Sequence, residues 1–337
     1  METEFKGRVI FSENYKSTIE NIKWISNAHT TTATIVRTGD DTYSKNPSSV
    51  IQIISEYDKI EKIKLKEMNH DSSFLLSAYD ESILELNSIE GKIRCTTHCN
   101  VLQNNREFIP AAYVSLKFFT KSKIIQSKSD AYSDIIFTED IGKAVNEEYI
   151  KERKYFLAKT APQNAYLFID GSMFSGASTA GNFVLVDSLL SQNCKPVFFV
   201  KNSESTIITE SFEFAKGYNS DLHWAYKNLK QGERSPIFSY VSGDGRGKAM
   251  CFFKIFEGRS PIRIEFPLQA FLNGMYLDDV FNLIYYQYIA NGSDNNVQPR
   301  IIQIAEMYAR EILKSTNLYN EIERMGLIKS MNEQRGF

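Results

Sequence analysis

The sequence lacks most of the features that would place it in a specialised class. Its 337 residues include only four cysteines, Cys95, Cys99, Cys194 and Cys251, and a chain of this length does not depend on disulfides for a core. No apolar run approaches the ~20 residues that span a bilayer. The start, Met1 to Lys6, is charged and lacks the apolar centre of a signal peptide, so an intracellular, cytoplasmic protein without a membrane partner is expected. Neither charge dominates: 39 basic residues against 41 acidic ones leave a formal charge of −2. That excludes a histone-like protein, although a local positive groove for nucleic acid stays open. There is no internal repeat and no low-complexity tract.

Several common chemistries are also missing. Cys95, His98 and Cys99 make at most a metal half-site, and no second Cys or His cluster completes it. The four histidines, His29, His70, His98 and His223, do not group. No serine sits in a nucleophile elbow. The stretch Gly243-Asp244-Gly245-Arg246-Gly247-Lys248 has the look of a phosphate-binding loop, but position 242 is Ser242 and Lys248 is followed by Ala249. A Walker A site needs glycine and Ser/Thr there, so a hairpin turn and no nucleotide cofactor are expected.

What is present is an ordinary globular composition, 42% hydrophobic, 24% charged and 13% aromatic, which excludes disorder as the main state. The length favours two domains, or one large domain with an extension. Residues 1–157 read as a β-rich region, with strands around Val50–Ile54, Ile83–Ile89 and Ala111–Phe119 and a polar stretch over Ser26–Ser49. A helix follows from Thr138, which can cap it, with Ile141, Val145 and Tyr149 at four-residue spacing.

Residues 158–337 are more sharply patterned. Tyr166-Leu167-Phe168-Ile169 is a buried strand that delivers Asp170 to its tip, before a small-residue loop over Ser172–Gly181. A helix over Phe183–Leu190 and a strand over Pro196–Val200 come next. Ser220-Asp221 opens another helix, which stops near Gly232. Strands are expected over Ile237–Val241, Met250–Phe256 and Pro261–Phe266, the last two joined by a turn at Gly258. Helices cover Leu277–Ile289, stopped by Asn291-Gly292-Ser293, and the segment after Pro299, where Ile301, Ile304, Tyr308 and Ile312 share a face.

Acidic residues at strand ends and helix starts are where rigid elements hold metal ligands accurately. Asp170, at a strand tip beside a permissive glycine, leads this set. Asp221 follows, as a helix cap or a ligand. Glu204 and Glu210 lie between them. Glu213 is flanked by Phe212 and Phe214, and Glu265 shares a strand face with Arg263. An oxygen-rich set suits Mg²⁺ or Mn²⁺. Lys201, Arg234, Arg246, Lys248 and Arg263 are the candidates for DNA phosphates, since residues 221–265 carry eight Lys/Arg against five Asp/Glu.

The second region resembles the NurA nuclease family over about residues 160–315. The resemblance is carried by Leu167-Phe168-Ile169-Asp170-Gly171-Ser172, by Val200-Lys201-Asn202-Ser203, and by Ser220-Asp221 running to Gly232-Glu233-Arg234-Ser235. It continues in Phe252-Phe253-Lys254 leading to Arg263-Ile264-Glu265-Phe266-Pro267, and in the helix after Pro299. It implies an α/β fold: an RNase H-like nuclease core with a mixed sheet, related to that of Argonaute, joined here to the β-rich N-terminal region. It also implies metal-dependent DNA cleavage with Mn²⁺ (or Mg²⁺), a homodimer, and a HerA-like hexameric ATPase as partner, in DNA end processing or anti-phage defence. By the same resemblance, Asp170, Glu210 and Asp221 bind metal, and Glu265 lies on the family's Arg-x-Glu strand. Tyr308 stands where the family has a late histidine, and tyrosine does not replace imidazole as ligand or proton carrier near neutral pH. That leaves an altered nuclease, an alignment that uses Glu306, or a weakened catalyst. A binding-only NurA-like subunit and a structural assembly protein are the competing readings.

Overall fold

The computed structural model describes residues 49–65, 75–88, 90–104, 107–123, 134–173, 179–243, 245–276, 279–291 and 298–320. The Met1–Lys6 start, the polar stretch up to residue 48, His29, His70, residues 174–178 of the small-residue loop, Asp244 and Gly292-Ser293 lie outside them.

Chain order begins with β1 (Val50–Ile53) and the short β2 (Glu61–Lys62), then three long strands, β3 (Leu75–Asn87), β4 (Lys92–Asn104) and β5 (Glu107–Thr120), and the short β6 (Ile135–Phe137). Helix α1 (Ile141–Thr160) leads into β7 (Ala165–Asp170), α2 (Thr179–Ser191) and β8 (Lys195–Val200). Helices α3 (Ile207–Ser211) and α4 (Asp221–Asn228) precede β9 (Glu233–Arg234), β10 (Phe238–Val241), β11 (Gly247–Lys254) and β12 (Ile262–Pro267). Helices α5 (Leu268–Leu272), α6 (Val280–Ile289) and α7 (Arg300–Ser315) follow.

All these strands join one mixed sheet, in the order β1-β10-β11-β12-β8-β7-β3-β4-β5-β6, with β2 and β9 attached beside β11. Toward one edge lies an antiparallel meander, β3-β4-β5, with β7 parallel to β3 and β8 parallel to β7. A three-strand meander followed by two strands parallel to its first is the RNase H-like arrangement. The core therefore starts at β3, upstream of the segment that carries the family resemblance, and β3, before residue 157, pairs directly with β7, after it.

Side chains alternate between the two faces of each strand, and each face is covered by helices. On one face Leu76, Ala78, Tyr166, Phe168, Val197, Phe199 and Ile264 pack under α5, α6 and α7. On the other, Tyr79, Leu167, Ile169 and Phe198 pack under α1 and α2, and Met250 and Phe252 pack under α4. The elements read from apolar patterning are present. The N-cap of α1, however, is Asp140, whose carboxylate accepts the Lys143 N–H at 3.0 Å. Thr138 instead holds Asp140 in place, its hydroxyl accepting the Asp140 N–H at 3.2 Å. Strand β4 escaped the patterning because its interior is polar. Thr96, Thr97, His98 and Asn100 are all buried there, and Asn100 bonds Ser77 and the Thr160 carbonyl.

Candidate metal and DNA site

The parallel pairing of β3 with β7 ends at Tyr79 opposite Ile169. The next residue on each strand is an aspartate, Asp80 and Asp170, so the two stand side by side on strands ~4.8 Å apart. Both belong to the rows that face α6 and α7: Asp80 continues Leu76 and Ala78, and Asp170 continues Tyr166 and Phe168. Asp80 is buried and accepts its neighbour Glu81's N–H at 2.8 Å. Burial, then the charges of Glu81 and Asp170, push its carboxyl up to about 8. Asp170 is a quarter exposed and pairs with Lys201 Nζ at 2.7 Å, just past the end of β8. Gly171 (φ 100°) then turns the chain away, its N–H bonding the Phe199 carbonyl at 2.9 Å. A side chain there would be strained by the backbone alone.

Asp80 was not among the residues singled out by sequence. Its surroundings, Ser77-Ala78-Tyr79-Asp80-Glu81-Ser82, show neither a clean apolar run nor a glycine, and only its strand partner marks it. Tyr288 on α6 was missed as well. It is buried in the same core, its hydroxyl has no hydrogen-bond partner among the described residues, and burial and then Asp170's charge push that hydroxyl's pKa upward.

The other expected ligands are placed elsewhere. Asp221 is sealed on the opposite face: Oδ1 accepts the N–H groups of Ile208 and Thr209, each at 2.9 Å, and Oδ2 accepts Ser205 Oγ at 2.8 Å. Its carboxylate thereby caps α3, and burial pushes its pKa up. Glu210 is exposed on α3 and accepts the Thr206 hydroxyl at 2.7 Å; Glu204 is exposed too. The structure thus does not gather Glu210 and Asp221 around Asp170, and no group of three His, Cys, Asp or Glu side chains suited to a metal occurs among the described residues.

Glu265 is wholly buried. Lys248 Nζ bonds its Oε1, Arg263 Nε lies 2.9 Å from the same oxygen, and Oε2 accepts Ser172 Oγ at 3.0 Å and the Met173 N–H at 2.8 Å. Burial alone would raise its pKa, but the two cations hold it at about 2. Burial brings Lys248 down to about 8 against the opposing pull of Glu265. Lys248 and Arg263 are therefore internal counter-ions and do not reach a phosphate. Arg234 is likewise internal, bound to Glu61 and the Ser235 carbonyl and lying between the rings of Tyr57 and Phe281. Of the five expected phosphate contacts, Lys201 and Arg246 remain accessible; Arg246 is exposed beside the Phe183 ring.

Tyr308 is half-buried on α7 and packs against the core on the Asp80–Asp170 side. The Arg300 guanidinium at the start of α7 lies over Phe108, and Leu318 beyond its end packs near Leu86 and Ile93. Helix α7 therefore runs along β3 past the level of Asp80. Glu306 accepts Gln298 at 3.0 Å and pairs with Arg310.

Two carboxylates with like charge and oxygen-only donors fit a hard divalent cation, which commonly takes one or two protein carboxylates and leaves its other positions to water and phosphate. No helix among the described residues is long and apolar enough to cross a membrane.

Comparison with known proteins gives a family match and several structural matches. The profile of the NurA domain matches residues 111–311, more than half of the chain. The crystal structure of the NurA nuclease from Sulfolobus solfataricus aligns with a TM-score of 0.50 at 11% identity, covering 92% of this chain and 96% of that one. Endonuclease V from Bacillus subtilis aligns with a TM-score of 0.40 at 11% identity, over 75% of this chain and 86% of its own. A NurA crystallised with manganese aligns with a TM-score of 0.40 at 6% identity, over 73% and 86%. No protein of curated function matches the sequence significantly.

Proposed function

The chain belongs to the NurA family, and from that premise we propose that it is a divalent-metal-dependent deoxyribonuclease whose reaction centre is Asp80 with Asp170. The observation that carries this reading is the register that sets the two carboxylates side by side where the pairing of β3 with β7 ends, one of them buried with its proton held to about pH 8. A divalent cation there, Mn²⁺ or Mg²⁺, supplies Lewis-acid activation of water and neutralises phosphate charge.

The chain's own residues do the rest. Asp80, whose proton is held on by burial and then by the charges of Glu81 and Asp170, would in its ionised form hold the cation together with Asp170, since a carboxylate ligand must be deprotonated. Asp170 keeps Lys201 beside it, so an ammonium stands next to the bound phosphate and orients the DNA backbone. Tyr288, whose hydroxyl has no hydrogen-bond partner among the described residues, offers one hydrogen-bond donor. Tyr308 lies on the same face and is the remaining side chain of the expected catalytic set in that position. Family membership is the basis for proposing a homodimer, a HerA-like hexameric ATPase as partner, and DNA end processing or anti-phage defence as the setting.

The test is cleavage of linear DNA by the purified protein in Mn²⁺, with and without the ATPase. Asp80→Asn and Asp170→Asn should each reduce cleavage by at least ~100-fold and weaken Mn²⁺ binding in calorimetry. Wild-type cleavage and metal affinity in both variants would refute the reading. A second reading, a DNA-binding or ATPase-docking subunit with weakened catalysis, is favoured by the convergence of only two carboxylates among the described residues. It expects DNA binding without cleavage under the same conditions.

A further inference from the structure

We propose that Glu265, with Lys248 and Arg263, is a positioning cluster that clamps the loops carrying Asp170 and Lys201 and so sets their separation. This goes beyond the metal site but rests on the nuclease reading of Asp170.

The three charged side chains lie on the face of β11 and β12 opposite Asp170. Met250 stands opposite Glu265 and Phe252 opposite Arg263, and Met250 and Phe252 pack under α4. Three ionised groups in a dry interior are expensive, and apolar replacements often do as well for stability alone. Their hydrogen bonds point to a different use. Glu265 Oε2 takes both Ser172 Oγ and the Met173 N–H, the first two polar groups after the Gly171 turn. Met173 is buried, and its carbonyl accepts Asn182 Nδ2 at 3.1 Å, so the loop after Asp170 is fixed from both sides. Arg263, anchored on Glu265 Oε1, donates through Nη1 to Ser203 Oγ, two residues beyond Lys201. Ser203 in turn accepts the Ser205 N–H at 3.3 Å. One buried carboxylate therefore ties the loop leaving β7 to the loop leaving β8, and the ion pair of Asp170 with Lys201 spans those same two loops.

Outer partners of this kind are worth about 10–100-fold in metal affinity or activity when they are removed. The surface-side ends of the clamp allow it to be cut without emptying the core. Ser172→Ala removes one bond to Glu265, and Ser203→Ala removes the bond to Arg263. The full-length protein is assayed with Mn²⁺ and linear DNA. Each alanine variant should lose roughly 10-fold or more in kcat, or in Mn²⁺ affinity by calorimetry, with KM for DNA and melting temperature unchanged. Ser172→Thr, which restores the hydroxyl, should recover most of the loss. Wild-type kcat and Mn²⁺ affinity in both alanine variants would overturn the proposal, as would losses that simply follow a fall in melting temperature. Asp170→Asn is measured in parallel. If it is inactive while the serine variants behave as wild type, the clamp alone fails; if it too behaves as wild type, the nuclease reading fails with it.

Discussion

On neighbouring β3 and β7, two carboxylates one residue beyond the paired Tyr79 and Ile169 stand side by side, and the physics of that meeting is testable by pH. The Asp80 carboxyl sits at about 8 against an ordinary 3.8. Its folded pKa is raised, so its contribution to stability is complete below about pH 4 and is lost as pH rises through about 8. Metal-free protein should therefore lose melting temperature between those values, and Asp80→Asn should flatten that slope. Binding of a divalent cation requires the ionised carboxylate, so Mn²⁺ affinity should rise by up to about tenfold per pH unit below pH 8 and level off above it. Calorimetry in buffers of different ionisation enthalpy will show whether one proton is released per ion bound. Asp170 was readable from the chain because an apolar run and a glycine bracket it. Asp80 was not, because a polar residue inside a long strand looks the same whether it faces solvent, a hydrogen bond or a neighbouring aspartate.

Elements obey their own constraints. Helices α1 and α2 pack on one face of the sheet, and Gly181 lies where α2 closely approaches α1: a Cβ built there would lie 2.3 Å from Ile150 Cγ2. Ile150 is β-branched and cannot swing that methyl away cheaply. Gly181→Ala should cost about 1–3 kcal/mol in urea denaturation, and Ile150→Ala in the same chain should recover part of it; an additive loss would rule out the contact. Helix α3 shows the opposite case. It is five residues long and is held from outside by Asp221. Asp221, read from the sequence as a cap of its own helix or a ligand, caps α3 instead, while Ser220 caps α4. Sequence alone does not separate these roles, since a carboxylate accepts from N–H groups and from a cation with the same lone pairs.

Over the whole molecule, charge is distributed differently from its order in the chain. Five cations near residues 201–263 suggested a phosphate-binding surface, but Arg234, Lys248 and Arg263 are turned inward to Glu61 and Glu265. With Lys201 and Arg246 left outside, DNA affinity should show a shallow dependence on salt. Lys201→Ala should reduce the log–log slope by about 1 without changing the melting temperature, whereas Arg234→Ala should destabilise the fold and leave the slope unchanged. Fluorescence anisotropy across a salt series reads both.

Periodicity along the chain determined many of the strands and helices, because burial of apolar side chains at a spacing of two or near four is a local property that each segment carries with it, while short motifs carried the family resemblance. Gly171 and Asp170 were determined in the same way, as a turn after a buried run. The tertiary structure alone decided which acids face each other. That choice depends on a parallel register between strands separated by some ninety residues, on which face each side chain occupies, and on whether a nearby N–H or ammonium has already satisfied it. No local pattern encodes those long-range pairings, and they separate Asp80 with Asp170 from Asp221, Glu210 and Glu265.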